Sequence, residues 1–133
     1  MRRFRSDSGA AAVEFALVVP VLLLLVLGII EFGRAYNIQN SLSAAAREGV
    51  RVMAISENVA AAKTATKQAG AFNPAIVDSQ ICISTGTAGT CSATTCPAGA
   101  AVTVTIRYPV DYLTGLFPGN LTLTGKGVMR CGG

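Results

Sequence analysis

A run of sixteen uncharged residues, Phe15–Ile30 (FALVVPVLLLLVLGII), with one carboxylate, Glu14, directly before it constrains this chain more than any other feature. As a helix the run is about 24 Å long, short of a hydrocarbon core of roughly 30 Å. Adding Ala10–Val13 extends it to about 31 Å, at the cost of taking Glu14 inside. The expected transmembrane helix is therefore residues 10–31, with one carboxyl tolerated near its start. Arg2, Arg3 and Arg5 lie upstream. By the positive-inside rule they place the N-terminus in the cytoplasm and everything after Glu31 outside the inner membrane, in a single pass through the lipid.

Composition supports a membrane protein and argues against an enzyme. Charged residues are 14% of the chain, against about 25% in an ordinary soluble domain. The chain contains no His, which removes the commonest general base and metal ligand. No triad is available without His, and no pair of carboxylates has a suggestive spacing. No enzyme activity, cofactor or metal is expected. The net charge of +4 owes three of its eleven cations to the N-terminal arginines. No basic stripe interleaved with aromatics follows, so nucleic acid is not an expected partner.

Beyond the membrane run the helical pattern continues. Ile38, Leu42, Ala45, Gly49, Val52, Ser56 and Val59 alternate spacings of four and three, a seam of small and apolar residues. An amphipathic outer helix is expected over residues 32–69, packing either on its own domain's sheet or on neighbouring subunits. Gly70 and Pro74 mark its end. Residues 70–133 read as a small β-rich head. Val102, Val104 and Ile106 alternate with Thr103, Thr105 and Arg107, Leu121–Thr124 repeats the pattern briefly, and residues 76–85 are a weaker strand. The expected fold is α+β: one long helix, half transmembrane and half amphipathic, packed on a three-stranded antiparallel sheet.

All four cysteines lie in this head. Outside the cell they point to two disulfides. The four residues between Cys91 and Cys96 do not match a redox or zinc motif. Three connectivities are possible; the expected one joins Cys91 to Cys96 within a loop and Cys82 to Cys131 across the head.

The segment Gly9-Ala10-Ala11-Ala12-Val13-Glu14-Phe15, behind a basic leader (residues 1–9), resembles the cleavage site of type IV prepilins and pseudopilins. Together with Gly28–Arg34 (GIIEFGR) and Leu42–Arg51 (LSAAAREGVR), it resembles the TadE-like proteins, minor pseudopilins of the tight-adherence (Flp, type IVc) pilus. That resemblance implies a pilin-like fold and cutting by a prepilin peptidase between Gly9 and Ala10. It also implies an assembly role with other Tad pseudopilins and the pilus platform, serving adhesion. Glu14 would become the fifth mature residue and pair with the new N-terminal ammonium of an adjacent subunit.

The same residues also admit other readings. Glu14 alone fits a carboxyl that snorkels to the interface. The chain also fits an uncleaved single-pass protein whose outer domain binds an envelope component or ligand. A secretory signal peptide fits less well, since Glu31–Tyr36 offers no small-x-small cleavage site. Pro20 removes the bond to the Ala16 carbonyl and marks a kink. Glu31 and Arg34 are placed for a local pair. Arg47 and Arg51, one turn apart, are candidate contacts for a partner or for headgroups.

Overall fold

The computed structural model describes residues 7–70, 72–86, 90–113, 115 and 119–132, with side chains from Gly9 onward. The arginines of the basic leader lie outside the described residues. Two helices, α1 (Asp7–Ser56) and α2 (Val59–Gln68), precede a 3₁₀ turn (Asp78–Gln80). Three strands follow, β1 (Ile81–Thr85), β2 (Ala101–Asp111) and β3 (Asn120–Arg130). Contacts divide the chain into two units, Met1–Arg34 and Ala35–Gly133.

The second unit is the α+β head. Its antiparallel sheet has the order β1-β2-β3. The alternation expected for β2 is observed and runs further, with Val102, Val104, Ile106, Tyr108 and Val110 all buried. Pro109 has no N–H to give to a ladder. It sits beyond Ile106, where pairing with β1 ends, so β2 has only β3 beside it there. The buried face of the sheet meets a broad stripe of α1 formed by Leu42, Ala45, Ala46, Val50, Met53 and Ala54. Of the seam read from the sequence, Leu42, Ala45 and Gly49 are buried in the head, but the buried stripe then drifts to Val50, Met53 and Ala54, leaving Val52 half-buried and Ser56 exposed.

β3 is longer than its pattern predicts, because its second half carries glycines where side chains would alternate. Gly125 and Gly127 lie opposite Ile106 and Val104 on the core face. A Cβ on Gly125 would stand 2.5 Å from the Leu42 carbonyl carbon, and one on Gly127 would stand 2.6 Å from the Ala46 oxygen. The α1 backbone therefore rests directly on the strand. Gln39 fixes this approach by donating from Nε2 to the Thr124 carbonyl at 2.7 Å.

The outer helix expected over residues 32–69 is two helices. Glu57 takes a left-handed φ of 50°, which closes α1, and the Asn58 side chain accepts from the Ala61 N–H at 3.0 Å to cap α2. The chain then turns α2 back on α1. Gly49 leaves the space that Thr66 fills, and Thr66 satisfies its own hydroxyl by donating to the Ala62 carbonyl at 2.8 Å. α2 stops at Gln68, just before the Gly70 signal. Lys67 in its last turn holds Asp78 at 2.7 Å. That contact keeps the Asp78 carboxyl below its ordinary range. Tyr108, its ring tilted against Phe72 with centroids 5.4 Å apart, donates its hydroxyl to the Pro74 carbonyl at 2.7 Å.

The disulfides correct the expected pairing. The bridges are Cys82–Cys91 and Cys96–Cys131, with Cα atoms 4.8 and 5.5 Å apart. Register explains why Cys82 does not reach Cys131. Cys82 aligns with Thr105 and thence with Lys126, which is two strands across and five residues short of Cys131. That geometry separates the two by roughly 19 Å, whereas a bridge requires less than about 7 Å. The loop after β1 instead folds back on that strand, with the Ala93 N–H donating to the Ile83 carbonyl, and brings Cys91 to Cys82. Bonds between the end of the loop and the residue that follows β3 (Gly99 N–H to the Cys131 carbonyl, Cys131 N–H to the Ala100 carbonyl) set Cys131 beside the buried Cys96.

Candidate assembly helix

The first unit, where described, is the N-terminal part of α1. Side chains from Gly9 to Ile30 are exposed apart from half-buried Val19. Phe15, Leu17 and Ile29 are 71%, 70% and 64% exposed. In water such a surface would carry a heavy hydrophobic cost, because contiguous apolar patches above a few hundred Å² mark membrane or protein contacts. The helix is long and apolar enough to cross a membrane. Among the described residues none covers the run, and its length and apolarity are compatible with single-pass membrane anchoring.

Within this helix the sequence-predicted residues fall as follows. Gly9 and Ala10 lie in its first turns and are exposed, with nothing within 4 Å of a Cβ on Gly9. Glu14 is exposed one turn after Ala10. Residues four apart share a helical face, and helical side chains lean toward the N-terminus. Glu14 therefore lies on the face of Ala10 and leans toward it. α1 continues as helix through Pro20, as membrane helices do when the freed carbonyl is rescued by its surroundings.

The outer arginines differ from each other. Arg51 grips Glu48, donating from Nε at 3.0 Å and from Nη2 at 2.6 Å. These bonds lower the Glu48 carboxyl and raise the Arg51 guanidinium from their ordinary values. Arg51 thus has an intrachain partner that the sequence reading overlooked, although a Glu three residues before an Arg is the usual signal for one. Arg47 is exposed on the same helix, while its backbone packs over Gly127.

Sequence reasoning also missed the glycines of β3. Their signal was present, since an isolated Gly inside a strand suggests close approach of another backbone. Among the described residues no cluster of His, Cys, Asp and Glu is placed to hold a metal ion.

Comparison with known proteins gives one match. Residues 9–51 fit the family model described as TadE-like protein. The matched stretch begins at Gly9, contains the whole apolar run and ends at Arg51. It covers the exposed helix and the first part of α1 that packs on the sheet, and it stops short of β1. No curated protein and no solved structure matches the chain. The match is a likeness over about a third of the chain.

Proposed function

We propose that this chain, through its TadE-like residues 9–51, is a minor pseudopilin, cut after Gly9 by a prepilin peptidase, that takes part in assembling or initiating a Tad pilus used in adhesion. The observation that carries the proposal is a family match whose first residue is Gly9, joined to an apolar run that no described residue covers and that Glu14 directly precedes. In this reading residues 1–9 are the leader, 10–31 cross the inner membrane with the N-terminus inside, and the head lies outside.

The chemistry follows from the cost of the acid. A charged residue at the centre of a membrane helix costs about 2.5–3.5 kcal/mol on insertion scales for Asp, Lys and Arg, an upper bound for Glu14 near the start of the span. A partner of opposite charge offsets that cost. The peptidase creates one when it frees the Ala10 amine, and packing of a neighbouring subunit brings amine and carboxylate together in low dielectric, where their attraction is strongest. Before cleavage the pair does not exist, so proteolysis controls assembly. A helix kink at Pro20 and partner contacts at Arg47 and Arg51 complete the reading.

The N-terminal mass tests it. Expressed with an active prepilin peptidase, the chain is expected to begin at Ala10; with the peptidase absent or inactive, it keeps its leader. A chain that stays uncut beside the active peptidase would remove the mechanism and leave an anchored protein whose outer domain binds a ligand.

A further inference from the structure

The face of the sheet turned away from α1 has no part in the assembly reading, and its chemistry is distinctive. Alternation along the strands puts Ser84 of β1, Thr103, Thr105 and Arg107 of β2, and Lys126 of β3 on this face. With Gln80 from the 3₁₀ turn they line a groove of about 690 Å³. That volume lies within the ordinary range of small-ligand sites, about 300–1,000 Å³.

Two cations share the groove. Thr105 pairs with Lys126 and Arg107 with Thr124, so Arg107 and Lys126 are diagonal neighbours, roughly 7–8 Å apart. Both are exposed, and among the described residues neither side chain has an ion pair or hydrogen bond. Asp78, next to the lining residues, is already held by Lys67. Asp111 stands four residues beyond Arg107 and outside the groove. Two like charges side by side repel, and a bound anion relieves them. The floor between them offers hydroxyl and amide groups, which both donate and accept. No described lining residue is a large apolar side chain able to anchor a peptide, and the adjacent edge of β1 is partly occupied by Ala93.

We propose that this groove binds an acidic glycan, its carboxylates on Arg107 and Lys126 and its hydroxyls on Gln80, Ser84, Thr103 and Thr105. The site belongs to the head alone and does not depend on cleavage at Gly9. It would give the protein a contact with uronic-acid-bearing polymers.

The test is titration calorimetry on the uncut full chain in neutral detergent, with pentagalacturonate as the probe. Maltopentaose, pentaglutamate and sodium sulfate serve as comparators. Pentagalacturonate is expected to bind about tenfold or more tighter than each comparator, and to weaken as salt screens the charges. Lys126→Gln and Arg107→Gln, both exposed and harmless to the core, are each expected to lower affinity about tenfold, while Lys63→Gln on α2 leaves it unchanged. Equal binding of pentaglutamate would make the face a peptide surface, and equal binding of sulfate a plain anion site. An equal loss in Lys63→Gln would reduce the effect to net charge. Each of these results, like a failure to bind pentagalacturonate at all, overturns the proposal. Because the uncut chain is used, failure here leaves the reading of Gly9 processing untouched.

Discussion

Gly127→Val is expected to unfold the head. The first added carbon would stand 2.6 Å from the Ala46 oxygen and 2.9 Å from the Arg47 nitrogen, both backbone atoms of α1. No rotamer change relieves such an overlap, so α1 must lift from the strand and expose Leu42, Val50 and Met53. Overpacking in a core that can adjust costs about 1–3 kcal/mol; here the cost should exceed that range. Whole domains have only about 5–15 kcal/mol to lose. A fall in melting temperature of about 20 °C or more, or loss of the folded state, is the expected result by circular dichroism in detergent. Val128→Thr, one residue along on the opposite face, should stay within about 0.5 kcal/mol of the parent. Equal stability of Gly127→Val and the parent would mean that α1 does not rest on β3.

Removing the Cys96–Cys131 bridge is expected to have the next largest effect. It closes a sequence separation of 35 residues, which is about 4 kcal/mol in the chain-entropy model. Cys82–Cys91 spans only 9 and should contribute about 3 kcal/mol by the same model. Replacing Cys96 and Cys131 together with Ala should therefore make the head strongly protease-sensitive, and replacing Cys82 and Cys91 should do so less. Cys96 is fully buried and Cys91 exposed, which reinforces that order. A mass map of the unreduced chain checks the connectivity directly; a peptide joining Cys91 to Cys96 would contradict the fold of the loop.

These two predictions rest on features that differ in how openly the sequence displayed them. β2 was legible because Val102, Val104 and Ile106 alternate with polar residues, and a half-buried strand requires that alternation. The membrane-length run was legible because its chemistry is local. The second half of β3 was not, since Gly125 and Gly127 look like breakers until a helix backbone is known to lie against them. The end of α1 was written in Asn58, a cap residue, but the apolar seam continuing through Val59 concealed it. Disulfide pairing was open in the sequence because it depends on strand register, which no spacing of cysteines encodes. The cationic groove is hidden for the same reason: Arg107 and Lys126 are nineteen positions apart in the chain and meet only across a β ladder.

The N-terminal site shows the opposite balance. Gly9, Ala10 and Glu14 were readable as a motif, and the fold adds only that the acid shares a helical face with Ala10 and lies on a surface that the described residues leave exposed. In the proposed function, a second subunit gives the acid its purpose. The most direct measurement is therefore incorporation of Glu14→Gln into sheared pili, scored beside its N-terminal mass. Gln keeps the shape and removes the charge. The variant is expected to be trimmed to Ala10 like the parent and yet to be missing from the fibre or its assembly complex. Normal incorporation of the trimmed, uncharged variant would contradict the ion pair and, with it, proteolytic control of assembly.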